Sequence, residues 1–85
     1  MAYSVIFAGA AQRQFDKLPE PARRRLGAVI AQLADDPRPP GVVKLSAEDG
    51  LYRVRGGDYR AVYRVEDNRL LVLVVKVGHR RDIYR

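Results

Sequence analysis

The stretch Leu51-Tyr52-Arg53-Val54-Arg55-Gly56-Gly57-Asp58-Tyr59-Arg60-Ala61-Val62-Tyr63-Arg64-Val65 decides the fold. Leu51–Arg55 and Tyr59–Val65 both alternate with a period of two, the pattern of a strand with one covered face and one open face. Gly56-Gly57 between them marks a tight turn. The two runs read as a β-hairpin. Successive side chains of a strand point to opposite faces, so Arg53 and Arg55 share one face while Tyr52 and Val54 share the other. On the next strand Arg60, Val62 and Arg64 lie opposite Tyr59, Ala61 and Tyr63. With helices over the tyrosine–valine face, Arg53, Arg55 and Arg60 meet on the free face of strands about 4.8 Å apart. Three guanidinium groups then converge within reach of one or two phosphates. The same pattern also fits the ordinary solvated face of an amphipathic sheet.

Outward from the hairpin, Glu66-Asp67-Asn68 is a turn. Arg69–Val77 is a nearly continuous apolar strand, expected to be central and covered on both faces. Upstream, Tyr3–Phe7 is a β-rich run that starts a strand near Ala2. Ala8, Ala11, Phe15 and Leu18 then recur at helical spacing until Pro19. Pro21 suits the first turn of a second helix, in which Leu26, Val29, Ile30 and Leu33 form one stripe opposite Arg23, Arg24 and Gln32. Asp35–Gly41, with Pro37, Pro39 and Pro40, breaks the helix. Val42–Leu45 has room for an extended segment, and Ser46–Gly50 is a polar turn. The expected architecture is α+β: an N-terminal strand, a two-helix hairpin and a three-stranded antiparallel meander. These build one mainly antiparallel four-stranded sheet with the helices on one face. Residues 1–85 read as a single domain, without repeats or a dividing linker.

Composition narrows the chemistry. The 85 residues include no cysteine and one histidine, His79. Disulfide frameworks, cysteine nucleophiles and multi-histidine metal sites are excluded, and neither metal nor cofactor is expected. No apolar run reaches the roughly 18 residues of a membrane span, and Ala2–Ala11 does not read as a signal peptide. A cytoplasmic protein is expected. Hydrophobic residues make up 47% of the chain, enough for a core. The net charge is +6, and thirteen of the sixteen basic residues are arginine, the side chain best suited to gripping phosphate. Residues 1–50 carry +1 and residues 51–85 carry +5. The arginines therefore sit on a structured half, which favours nucleic acid as partner.

The C-terminal run Gly78-His79-Arg80-Arg81-Asp82-Ile83-Tyr84-Arg85 leaves the apolar strand directly. Arg80 and Arg81 can reach the face of Arg60, and Tyr84 offers a plane on which a base can stack. Arg81, Arg85 and Lys76 are candidate RNA-binding residues. A basic end is also, commonly, a solvated terminus. His79 is the one side chain that titrates near neutrality unperturbed and is a possible acid or base, although a lone surface histidine is more often neither. No paired carboxylates, Gly-rich phosphate loop or Ser-His-Asp set is present.

The segment 51–63 followed by Val77-Gly78-His79-Arg80-Arg81-Asp82-Ile83-Tyr84 resembles the RelE branch of the RelE/ParE toxins of bacterial toxin–antitoxin pairs. The N-terminal strand and the break at Lys17-Leu18-Pro19 fit as well, so the resemblance spans nearly the whole chain. It implies a metal-independent endoribonuclease that cuts mRNA in the ribosomal A site. In that reaction the 2′-OH attacks the adjacent phosphorus and leaves a cyclic 2′,3′-phosphate and a 5′-hydroxyl. Carried over by position, the catalytic residues are Arg53, Arg55, Arg60, Arg80 and Tyr84. The implied partners are a small cognate antitoxin that is acidic or carries an acidic wrapping segment, the ribosome and mRNA, with operator DNA met only through the antitoxin complex. This chain departs from active members of the family, which carry lysine at the positions of Arg53 and Arg55. Arginine is a poor base, which raises His79 as a candidate. The chain also stops one residue after Tyr84, without the extra C-terminal helix of some relatives. Two alternatives stand beside the nuclease: a ParE-like gyrase inhibitor, and a decayed toxin acting only as antitoxin partner and co-repressor.

Overall fold

The computed structural model describes residues 2–46 and 49–83. In chain order the elements are β1 (Ser4–Phe7), α1 (Gly9–Asp16), α2 (Glu20–Gln32), β2 (Val43–Ser46), β3 (Leu51–Gly56), β4 (Tyr59–Glu66), β5 (Leu71–His79) and α3 (Arg80–Ile83). The hairpin forms as its alternation requires: β3 pairs antiparallel with β4, Gly56 opposite Tyr59, and Gly57-Asp58 makes the connection. Gly57 has φ +65°, which glycine adopts at no steric cost. Gly56 is needed for a different reason. A Cβ there would meet the Leu26 Cα at 3.0 Å, so its absence lets α2 lie against the hairpin.

Among the described residues the sheet has five strands in the order β1-β5-β4-β3-β2, which corrects the expected four. The added strand is Val43–Ser46, too short and too exposed to carry an alternation signal, and it pairs antiparallel with β3 through Val43–Arg53 and Lys44–Tyr52. β1 runs parallel to β5, so the sheet is mixed, with its antiparallel part in the majority. Both helices lie on one face. Ala11, Leu26, Ile30 and Leu33 pack there against Tyr52, Val54, Ala61, Tyr63, Val72, Val74 and Val77. Complete burial of an aliphatic side chain such as Leu26 or Val72 stabilises by about 1.5–3 kcal/mol relative to exposure.

β5 departs from expectation in two ways. It starts at Leu71, because Asp67–Arg69 is a 3-10 turn and Leu70 takes the left-handed conformation at φ 48°. Strands flank it on both sides, but α1 and α2 cover only one of its faces. Val72 and Val74 are buried, while Leu71 and Leu73 are half-buried on the open face, where Leu73 pairs with the exposed Ile6 of β1.

Arg38 ties the proline loop to the rest. Its guanidinium donates two hydrogen bonds to the Asp67 carboxylate, at 3.1 and 2.8 Å, and its Nε donates to the Tyr52 hydroxyl at 2.9 Å. Tyr3 donates to the same carboxylate at 2.6 Å. The Arg38 and Tyr3 hydrogen bonds hold the Asp67 carboxyl down at about 2. Beneath them Tyr63 is fully buried and donates its hydroxyl to the Pro37 carbonyl at 2.7 Å. Burial raises its phenol above the usual range.

Candidate functional site

The open face of the sheet gathers the basic side chains in rows set by the strand register. In one row Arg55 on β3 lies opposite Arg60 on β4, which lies opposite Gly78 on β5. In the next, Val43, Arg53, Val62 and Lys76 follow one another across four strands. Arg64 stands one row further, opposite Leu51 and Leu73. Arg53, Arg55, Arg60 and Lys76 thus share one face, and neighbouring Cβ atoms in such a row are about 5 Å apart.

Lys76 reaches this face because of a bulge. Pairing passes from Val62–Lys76 to Tyr63–Val74, which leaves Val75 as one extra residue on β5. Strict alternation from Val72 and Val74 would send Lys76 into the core and Val77 out. The extra residue reverses both, so Val77 is buried and Lys76 joins the arginines. The Gln14 side-chain oxygen of α1 accepts the Val77 N–H at 2.8 Å.

Arg60 is oriented by the hairpin itself. Its NH1 donates to the carbonyls of Gly57 at 3.0 Å and Tyr59 at 3.2 Å. Two of the five guanidinium donors' worth of geometry is thereby fixed, and the group keeps further donors for a ligand.

The C-terminal run is folded from Arg80. These residues form the short helix α3, and Ile83 is buried, 9% exposed, with its Cδ1 3.6 Å from where a Gly78 Cβ would stand. Ile83 and Asp82 thereby fold over Gly78, the cross-strand neighbour of Arg60. The Arg80 N–H also donates to the Asp58 carbonyl at 2.8 Å. Arg80 and Arg81 are both exposed on this seated turn. Tyr84 and Arg85 lie outside the described residues.

His79 is placed differently. It pairs with Tyr59, whose side chain belongs to the helix-covered face, and meets that ring edge-on at 5.3 Å between centroids. Its Nδ1 accepts the Arg81 N–H at 3.2 Å. A neutral imidazole accepting at Nδ1 carries its proton on Nε2. His79 therefore caps the α3 turn and stands apart from the arginine rows. Among the described residues no group of three or more His, Cys, Asp or Glu side chains could hold a metal ion. No helix among them is long and apolar enough to cross a membrane.

Sequence reasoning did not single out Ile83, Asp58 or Val75 as supports of the site. The one available signal was the three-residue spacing of Val74 and Val77 around a lone lysine. A concavity of about 370 Å³ opens between α2 and the β2–β3 edge and is lined mainly by Val29, Pro39, Pro40, Val42 and Arg55.

With this geometry in view, similar proteins are informative. A family model described as "ParE toxin of type II toxin-antitoxin system, parDE" matches residues 5–84. Toxin RelG of Mycobacterium tuberculosis is 36% identical over 89 residues, covering 100% of this chain and 99% of RelG. The mRNA interferase toxin RelE of Escherichia coli K12 is 32% identical over 82 residues, covering 94% of this chain and 85% of the toxin. The archaeal RelE–RelB complex of Pyrococcus horikoshii superposes on 94% of this chain and 97% of its own, with TM-score 0.84 and 29% identity.

Proposed function

Since the chain belongs to the RelE/ParE family of type II toxins, we propose that it is a ribosome-dependent endoribonuclease that cuts mRNA in the A site. It is the toxin of a toxin–antitoxin pair, and relatives have been solved with their antitoxin RelB. The observation that carries the nuclease reading is the continuity of Arg53, Arg55, Arg60 and Lys76 on one open face, with the seated turn of Arg80 and Arg81 beside them. That arrangement suits a phosphate gaining charge. Attack of the 2′-OH on phosphorus builds negative charge on the equatorial oxygens, and preorganised guanidinium donors stabilise it. In this reading Arg60 and Arg80 contact the reacting phosphate, Arg53 and Arg55 hold its neighbours, and Tyr84 orients a base. Arg81 and Arg85 contact the flanking RNA. The ribosome supplies the positioning of substrate that a flat open face lacks.

The antitoxin is proposed to carry an acidic segment that covers the arginine face and an apolar one that fills the concavity beside α2. Production of the toxin without antitoxin tests the function. Growth arrest with shortened, cut mRNA and intact DNA is expected. Arrest with intact mRNA and gyrase-linked DNA breaks would move the protein to the ParE-like inhibitors. No arrest at all would leave the decayed toxin.

A further inference from the structure

We infer that Lys76 is the general base of the proposed cleavage, an assignment that rests on the nuclease reading above. The β-bulge at Val75 places Lys76 in the same row as Arg53 and diagonal to Arg60. Diagonal neighbours across strands are about 7–8 Å apart, within reach of long side chains. The charged groups on the face of Lys76 are Arg53 and Arg55 from β3 and Arg60, Arg64 and Glu66 from β4; the α3 turn, which carries Arg80, Arg81 and Asp82, packs over Gly78 two residues along β5, and α1 and α2 lie behind the sheet. The arginines all keep their protons in proteins, whereas a lysine amine can take one up. His79 is committed elsewhere, with its Nδ1 accepting the Arg81 N–H and its ring against Tyr59. Among the described residues, Glu66 pairs with Arg69, and Asp82 is an exposed acceptor on the turn over Gly78.

In the step assigned to it, the neutral Lys76 amine removes the proton of the 2′-OH as the 2′-oxygen forms its bond to phosphorus. The bond from phosphorus to the 5′-oxygen breaks, and that oxygen takes a proton from water. The hydroxide left behind is neutralised by the proton that the Lys76 ammonium returns, so no proton is gained or lost overall. The arginines hold the phosphorane oxygens throughout.

Lys76→Arg separates a base from a charge, because it keeps the cation and removes the ability to deprotonate. The test is single-turnover cleavage of mRNA on programmed ribosomes, from pH 6 to 9, for the wild-type protein, Lys76→Arg, Lys76→Ala and Asp82→Asn, with thermal melting as the check on folding. The wild-type rate should climb with pH. Both Lys76 variants should fold and lose about 100-fold or more, the usual contribution of a positioned base, while Asp82→Asn keeps the rising profile. Lys76→Arg cleaving within about threefold of wild type would overturn the assignment and leave the nuclease reading intact, since a cation alone then suffices. A pH-flat wild-type rate with a dead Asp82→Asn would overturn it in favour of the carboxylate. Wild-type protein that leaves ribosome-bound mRNA whole would overturn the nuclease reading and this assignment together.

Discussion

Arg60 is prepared by its neighbours before any substrate arrives, since the Gly57 and Tyr59 carbonyls already hold its NH1. Replacing it with alanine removes a charged contact to the transition state, which typically costs on the order of 10²–10³ in rate. Arg60→Ala and Arg80→Ala are each expected to abolish toxicity with an unchanged melting temperature. Arg24→Ala is the control. Its guanidinium pairs with Glu20 on the exposed side of α2, a surface pair worth little, and the variant should stay toxic. Toxicity surviving in the Arg60→Ala, Arg80→Ala double variant would remove the arginine rows from catalysis. Gln14 makes a prediction of another kind. Its side chain satisfies the Val77 N–H near the bulge, and truncation leaves that donor without its partner. Gln14→Ala should cost about 1–3 kcal/mol in a denaturant titration, without changing any charged group. Arg53, Arg55 and Arg60 were legible in the sequence because alternation assigns faces within each strand. Gln14 was not, because a helix-to-strand contact 63 residues away has no periodicity to betray it.

The bulge at Val75 shows where alternation fails as a guide. Read with an unbroken period of two, β5 would bury Lys76 and expose Val77; the extra residue keeps the charge in water and returns the valine to the core. Deleting Val75 should therefore unfold the protein or leave it aggregated, because a one-residue slip turns every following side chain to the wrong face. A soluble deletion variant with native melting would show that the bulge is dispensable. The hairpin and both helices were readable from period and proline placement, and the helix-covered face was predicted from the tyrosines and valines. The extended stretch at Val42–Leu45 was anticipated, but its pairing as a fifth strand was missed, because three of its four residues are exposed and carry no alternation. The seat of α3 was missed for a related reason. It rests on Ile83 folding back over the end of β5 and on the Arg80 N–H bonded to the Asp58 carbonyl, contacts that leave no period in the chain. At the other end of the hairpin, Gly56→Ala forces a Cβ onto the α2 backbone at 3.0 Å, and overpacking of that sort costs about 1–3 kcal/mol.

The Arg38–Asp67–Tyr3 cluster joins the N-terminal strand, the proline loop and the β4–β5 turn, so its titration is felt across the molecule. Asp67 is held at about 2 in the folded protein against an ordinary 3.8. A carboxyl lowered by folding adds stability above its unfolded value and loses it as pH falls through the folded one. Melting temperature should therefore fall between about pH 4 and 2, and Asp67→Asn should flatten that part of the profile. An unchanged acid limb in the variant would take Asp67 out of the account. The +6 charge, with +5 on residues 51–85, acts over longer range on the antitoxin. Association should slow several-fold between low and physiological salt while dissociation barely moves, because steering is screened and the apolar contact is not. A salt-independent association rate in stopped-flow binding would contradict this. The central claim is that the arginine face cuts RNA which the ribosome presents. Primer extension on one mRNA, translated or naked, at equal concentrations of the purified toxin, tests it most directly. The account predicts new 5′ ends at A-site codons in the translated sample and full-length product in the naked one; equal cutting of both, or of neither, would contradict it.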